Sequence, residues 1–403
     1  MTSTAEKLAG LQVLIDFDEG LEFRTPFILN DLGYGQLNIG KLGSVTSLTL
    51  DYASRTTGIS IRRGRDVLQD DYNAGSATVR ILDPDGQFNP QNIDSPIFGY
   101  VTTNKKLRIA HLDTSSSNPY VTTSLFTGYI SDYKYTFPTN QETSYVTITA
   151  YDAFKILNTA AITTVTGAAA GDTTSERITQ ILNEVDVPAS MQLIEPSTVT
   201  CQADNGSSRS ALTAIRFAEI TENGAFYIDY AGDFRFRDRQ TIYDSYDPSL
   251  AIVFTNDQAL AAGYPYQNIK FAFDDKRLYN QGTITRAGGT AQTYSDAASI
   301  AEYFTKSYTQ SNLLMQTDAE ALLLAEGYIE ARKDNDIRID AITIDILGSD
   351  IWLDLLSIEY FTNLYIVNVT PQGSLIEKYL QTQGISHEIT PSSWNLTFTT
   401  LEP

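Results

Sequence analysis

A mainly β chain with an α+β insertion is predicted by three observations. Apolar and polar residues alternate in runs at both ends, helical periodicity takes over between them, and 403 residues exceed what one compact core usually holds, so two to four domains are expected. The first 160 residues are rich in threonine, tyrosine and valine, and runs such as 44–50 and 145–150 alternate as half-buried strands do. The run 77–82 stops at Asp83-Pro84-Asp85-Gly86, where proline presets the first turn torsion and glycine takes a positive φ. A short helix is expected at 153–158, and the small, glycine-rich stretch 163–173 marks a boundary. Residues 1–160 therefore read as an N-terminal arm and a first β domain.

Residues 161–250 change character. Ile178, Ile181, Leu182 and Val185 share one helical face in 175–185, behind a serine or threonine cap. A second helix at 210–221 ends at Asn223-Gly224. Phe226, Ile228 and Tyr230 then alternate inward, Gly232 turns the chain, and Phe234 and Phe236 return. Two helices and a hairpin make an α+β middle domain. From 251 the strands resume, interrupted by Thr317-Asp318-Ala319-Glu320, a capping box that opens a helix at 319–333 with a basic end, as the helix dipole prefers. The alternating runs 337–346 and 394–399 follow, so 251–403 reads as a second β domain carrying that helix. No residue-level repeat is visible, yet two β domains around an insertion leave room for a repeat at the level of fold.

Composition narrows the function classes. Hydrophobic residues at 42% and charged ones at 19% describe a folded, soluble chain, its apolar runs fall short of a membrane span, and Met1–Lys7 show no export signal. A single cysteine, Cys201, gives no disulfide framework and no zinc cluster, and only His111 and His387 supply imidazoles. A net charge of -21 argues against gripping nucleic acid, since affinity for phosphate comes from lysine and arginine. It suits a channel that DNA does not stick to as well as it suits a bystander.

Several motifs in order carry a family resemblance. They are Ile61-Arg62-Arg63-Gly64-Arg65, Asn73-Ala74-Gly75-Ser76-Ala77-Thr78-Val79, Asp83-Pro84-Asp85-Gly86-Gln87-Phe88-Asn89-Pro90, Phe126-Thr127-Gly128-Tyr129-Ile130 and Ala150-Tyr151-Asp152-Ala153-Phe154. Then come Glu222-Asn223-Gly224-Ala225-Phe226, Gly232-Asp233-Phe234-Arg235-Phe236 and Gly384-Ile385-Ser386-His387-Glu388-Ile389. In this order, from about Thr46 to Leu401, the chain resembles the baseplate hub, or minor tail, proteins of long-tailed bacteriophages. The resemblance implies two tube-like antiparallel β-barrel domains flanking the helix-and-hairpin domain, with the first barrel in 1–160 and the second in 251–403. It also implies a homotrimeric pseudo-sixfold ring in the virion. Its partners would be a distal tail or tube protein, the tape-measure protein and tip or fibre proteins, with DNA passing the lumen unbound. Neither an enzymatic activity nor a cofactor is implied. No lysozyme-like, peptidase-like or fibre extension follows Leu401-Glu402-Pro403, which assigns wall degradation to another protein.

No catalytic, cofactor or metal residue is assigned. Arg63-Gly64-Arg65 reads either as a subunit contact or, by preference, as solvated strand ends beside a glycine turn. Asp83-x-Asp85-Gly86 opens like a calcium loop but lacks the terminal glutamate, so a plain turn is expected. Asp16, Asp18 and Glu19 offer carboxylates that a glycosidase would need, but among 49 acidic residues such groupings arise by chance and a surface role is preferred. Cys201 and His387 read as structural, not as nucleophile and base. Asn205-Gly206-Ser207 has the form of a glycosylation acceptor without access to that machinery. The 24 tyrosines suit either stacking on sugars or protein interfaces. A hexameric distal tail or tube protein and a carbohydrate-binding tail protein stay open as alternatives.

Overall fold

The computed structural model describes residues 8–17, 48–68, 70–113, 122–138, 143–257, 263–349 and 352–402. Seven strands open the chain: β1 (Leu11–Asp16), β2 (Thr49–Asp51), β3 (Thr56–Gly64), β4 (Asn73–Leu82), β5 (Lys106–Leu112), β6 (Thr122–Thr136) and β7 (Tyr145–Tyr151). They lie antiparallel in the order β3-β4-β7-β6-β5-β1-β2. Their period of two decides which face is buried. Ala77, Val79 and Ile81 of β4 stand opposite Ala150, Ile148 and Val146 of β7, and all six are buried. Each larger side chain of such a set contributes about 1.5–3 kcal/mol by leaving water. Of the expected N-terminal arm the structure describes 8–17, where β1 is hydrogen-bonded between β5 and β2.

After α1 (Phe154–Thr159) the middle unit begins with the short β8 (Ala161–Ile162) and α2 (Thr174–Glu184). The Thr173 side chain and the Glu176 carboxylate close a reciprocal capping box on α2. Next come β9 (Gln192–Ile194), β10 (Arg209–Ser210), which pairs with β8, and α3 (Ala211–Glu222). Ser210 caps the start of α3, and Asn223 ends it in the left-handed conformation at φ 56°. Then β11 (Ala225–Ile228) and β12 (Phe234–Arg237) form the expected hairpin, with β9 parallel to β12. All four β11 residues are buried, not only Phe226 and Ile228, because Tyr227 on the second face packs on the β sheet. Tyr230, expected inward, is 36% exposed. The short α4 (Arg239–Asp244) closes the unit.

The chain re-enters the main sheet through β13 (Ile252–Thr255) and β14 (Asn268–Ala272). It then leaves to build a second small layer: β15 (Gln281–Arg286), β16 (Gln292–Ser295), α5 (Ala297–Tyr303), β17 (Ser307–Leu313) and α6 (Asp318–Glu330). Here the structure corrects the sequence reading. The helix expected at 319–333 as part of the second barrel packs on this separate three-stranded sheet, with a core of Ile284, Leu313, Met315, Ala321, Leu324 and Ala325. Phe217 and Ile220 of α3 pack against that core. The basic end also falls outside the helix, since Arg332 and Lys333 lie past Glu330.

The return is β18 (Arg338–Asp345), α7 (Trp352–Leu356), β19 (Asn363–Val369), β20 (Leu375–Thr390) and β21 (Ser393–Leu401). Their order, β14-β18-β21-β20-β19, repeats that of β3-β4-β7-β6-β5. Numbering five strands within each half in chain order, both run 1-2-5-4-3. The long fourth strand behaves alike in both halves. The first half of β6 pairs with β5 and its second with β7, and the first half of β20 pairs with β19 and its second with β21. The fold therefore carries the repeat that residue identities hide. The two halves also meet edge to edge. Ile59–Gly64 of β3 pairs antiparallel with Ile389–Gly384 of β20, which joins both into one 13-stranded sheet.

Candidate functional site

The joint between the two halves is where the sheet, the middle unit and the inserted layer meet. At its centre β3 and β20 approach so closely that a Cβ on Gly64 would lie 2.4 Å from the Gln383 carbonyl oxygen and 2.5 Å from the Gly384 Cα, and Gly64 has φ +98°. Only glycine fits there. Gln383 is the extra residue of a bulge, since Thr382 faces Thr400 but Gly384 already faces Thr399. The bulge re-aims its side chain into the joint. The Gln383 Oε1 accepts from Arg65 Nε at 3.0 Å and from Tyr72 Oη at 2.8 Å, while the Gln383 carbonyl accepts from Arg65 N at 3.0 Å.

Arg63 contradicts its expected place on a solvated strand end. Its side chain is 4% exposed, and Nη1 donates to both Glu359 carboxylate oxygens, at 3.1 and 3.0 Å. Its guanidinium carbon lies 5.4 Å from the centre of the Tyr360 ring. Burial opposes the charge, but the Glu359 carboxylate bonded to it outweighs that cost and holds Arg63 protonated. The Tyr72 ring packs at a tilt on its neighbours, its centroid 5.3 Å from that of Tyr227 in the hairpin and 5.1 Å from that of Tyr360. From α3, Arg216 reaches the Tyr72 carbonyl and pairs with Glu219. Part of the tyrosine content thus serves contacts within the chain.

Two buried titratable groups flank the same joint. Asp152 accepts from Gly75 N at 2.6 Å and from Phe154 N at 3.0 Å, and burial pushes its carboxyl up to about 7 despite those donors. His387 accepts at Nδ1 from Trp394 Nε1 at 3.2 Å, and burial, aided by the Arg63 charge, lowers it to about 3. The His111 ring also lies beside Trp394, at 5.9 Å between centroids, so both histidines of the chain pack on one tryptophan. A cleft of about 640 Å³ opens beside the joint, lined among others by Arg65, Asp70, Arg277, Tyr328, Arg332 and Gln383.

The other sequence candidates sit apart. Asp83 accepts from Gln87 N at 2.7 Å and Phe88 N at 3.1 Å, and Asp85 pairs with Arg55 at 2.8 Å, so the turn is closed on protein donors. Cys201 is buried in a β-bridge with Met315, whereas His387 is bonded to Trp394, and burial pushes the Cys201 thiol up to about 12. Asn205 is engaged in a local turn, its Oδ1 accepting from Ser207 N at 3.1 Å. Asp16 ends β1 opposite Lys106 and Thr49, whereas Asp18 and Glu19 lie outside the described residues. Sequence reasoning missed Glu359, Tyr360 and Gln383, whose partners lie some 300 residues away and leave no local trace. The bulge at Gln383 would have needed the register.

The folded chain matches solved structures along most of its length. It aligns with a tail protein of Neisseria meningitidis MC58 at TM-score 0.57 and 11% identity, covering 88% of this chain and 93% of that one. A 43 kDa tail protein of prophage MuSo2 from Shewanella oneidensis gives 0.55 and 12%, covering 88% and 96%. The fold is that of phage tail proteins. Prophage tail protein gp18 of Listeria monocytogenes EGD-e agrees with this over 96% of this chain and 94% of its own, at TM-score 0.50 and 10% identity. No family model and no curated protein matches the sequence. At such identities the phage-tail likeness is one of fold. Among the described residues no helix is long and apolar enough to cross a membrane.

Proposed function

We propose that this protein is a structural hub at the distal end of a phage tail, a homotrimer that joins the tail tube to tip or fibre proteins and passes DNA during ejection. The observation that carries the reading is the internal repeat. Two halves with one strand order, joined edge to edge, make a chain that offers two equivalent modules, so three copies offer six to a sixfold tube. Its neighbours would be a distal tail or tube protein, the tape-measure protein and tip or fibre proteins, in the virion. Its action is geometric and not enzymatic. Three copies carry 3 × (-21) = -63 formal charges, and acids facing the lumen would keep DNA from adhering.

Negative-stain electron microscopy of concentrated protein, averaged without imposed symmetry, tests it. Threefold rings with a hole wide enough for a duplex are expected. Sixfold rings would replace the hub by a distal tail or tube protein. Saturable binding on a glycan array, with no ring, would replace it by a carbohydrate-binding tail protein.

A further inference from the structure

We infer that the cleft beside the joint binds a small ligand through one oxyanion group, phosphate or carboxylate, held by Arg65, Arg277 and Arg332. The inference stands apart from the ring reading and does not depend on it. The three arginines line the cleft from two sides, Arg65 from the link between β3 and β4, and Arg277 and Arg332 from the layer inserted between β14 and β18. Asp70 is the carboxylate they share. Arg332 Nη2 donates to its Oδ1 at 2.8 Å, whereas Arg277 Nη2 stands 3.9 Å from the same oxygen, beyond hydrogen-bond reach. Arg65 Nη1 donates to the Asp70 carbonyl instead, at 2.6 Å, and Tyr328 Oη takes Asp70 Oδ2 at 2.7 Å.

Three guanidiniums around one carboxylate leave 3 − 1 = 2 positive charges over. Little water reaches them, since the Arg277 side chain is 15% and that of Arg332 17% exposed. Burial, then the charges of Arg332 and Arg65, bring the Arg277 guanidinium down to about 10 even with Asp70 beside it. An anion placed between the arginines removes that repulsion. The donors for it are in place. Arg277 Nη1 is bonded to the Val67 carbonyl at 2.5 Å, and among the described residues no acceptor is bonded to its Nε or Nη2. Those two N–H groups are parallel, the fork that takes both oxygens of a phosphate or carboxylate. Arg332 is fixed in its plane over Tyr328, its guanidinium carbon 3.8 Å from the ring centre, and Tyr328 in turn stacks on Tyr308 at 3.7 Å. Side chains held this firmly lose little freedom on binding.

The cleft also limits which anion enters. Its volume of about 640 Å³ suits a small molecule. Asp71, Asp334 and Asp336 share the lining, so a polyanion long enough to span the cleft meets carboxylates, whereas one compact group at the arginines does not. A group held by Arg65 on one side and by Arg277 and Arg332 on the other ties the short link to the inserted layer, so the ligand stabilises the folded chain.

Thermal unfolding of the full chain, with inorganic phosphate and acetate as separate titrants and ionic strength held constant with sodium chloride, tests this. Tm should rise and saturate, by about 3 °C at a hundredfold excess over Kd for a chain of this size. Saturation with phosphate alone assigns a phosphate ester, and saturation with acetate as well assigns a carboxylate. Arg277→Gln should raise the midpoint of the titration at least tenfold, and Lys134→Gln, at a 74% exposed side chain of β6, should leave it unchanged. No saturable rise with either anion, or a rise that Arg277→Gln keeps, would overturn the inference. Since Arg277 also holds the Val67 carbonyl, a second measurement uses the unaltered protein: phenylglyoxal labelling mapped by mass spectrometry. Phosphate should slow labelling of Arg277 and Arg332 at least fivefold and leave the exposed Arg62 as it was. Equal rates with and without phosphate would overturn the site, and equal protection by duplex DNA at the same phosphate concentration would overturn the small ligand.

Discussion

Replacing Glu359 by glutamine strips the charge that balances Arg63 inside the joint. The Arg63 side chain is 4% exposed and Glu359 19%, so the guanidinium has almost no water to turn to. Removing one partner of a buried pair costs about 3–5 kcal/mol, and the remaining amide oxygen can still accept one bond, which points to the lower end, about 3 kcal/mol. Arg63→Met is the milder change, about 2 kcal/mol, because Glu359 keeps its bond from Tyr360 N at 3.1 Å and some contact with solvent. The double variant buries no unpaired charge. It should therefore lie well short of the sum, with a coupling of about 2 kcal/mol. Urea unfolding followed by tryptophan fluorescence reads all three, since the buried Trp394 lies two strands from Arg63 in the same sheet. Costs that add to within about 0.5 kcal/mol would refute the reasoning, since independent sites behave that way.

Three further outcomes are expected. Asp152, raised to about 7 in the folded chain, gives stability that is full below its unfolded pKa near 4 and lost as pH rises through 7, whereas His387, lowered to about 3, gives stability that is full above 6.5 and lost as pH falls towards 3. The two slopes oppose each other between about pH 4 and 6.5. His387→Gln should therefore tilt the stability profile towards acid relative to the unaltered chain, by about 3 kcal/mol across that window, and parallel profiles would exclude the buried neutral imidazole. Gly64→Ala should cost at least about 2 kcal/mol by calorimetry, because it adds a clash to the torsion penalty. Gly373→Ala, at φ +84° with open space around it, should cost only about 1 kcal/mol, and equal losses would mean that the β3–β20 approach is not tight. Cys201 should react with a thiol reagent only as fast as the protein unfolds, and labelling at the rate of a free thiol would show that the β-bridge to Met315 opens locally.

Much of the local structure was legible because its causes are local. The alternation that buries Ala77, Val79 and Ile81, the Thr173–Glu176 and Thr317–Glu320 boxes and the left-handed Asn223 are each written within a few residues. What stayed hidden depends on partners far along the chain. An arginine beside a glycine looks solvated until Glu359 is folded against it, and the apolar face of α6 reads the same whichever sheet it covers. The repeat was hidden for a different reason: strand order is kept by hydrogen bonding and by which face is apolar, and many residues satisfy both. The candidate site was the least legible part, since it is made where the two halves meet.

The inserted layer occupies the same link in the second repeat that is short in the first. Between the first and second strands the first repeat has only residues 65–72, whereas the second has 273–337. These equivalent links touch. Asp70 of the short one accepts from Tyr328 Oη at 2.7 Å and Arg332 Nη2 at 2.8 Å of the long one, and Arg277 Nη1 donates to the Val67 carbonyl at 2.5 Å. Burial would raise the Asp70 carboxyl, but Arg332 and the other cations around it hold it below the usual carboxylate range, so the clasp stays charged. The Asp70 carbonyl in turn accepts from Arg65 Nη1 at 2.6 Å, and Arg65 is bonded to Gln383 at the bulge, so one run of hydrogen bonds links the inserted layer to the joint. Movement of the inserted layer would therefore reach the pairing of β3 with β20 directly. In the hub proposed above, this would connect whatever docks on the inserted layer to the joint between the two halves.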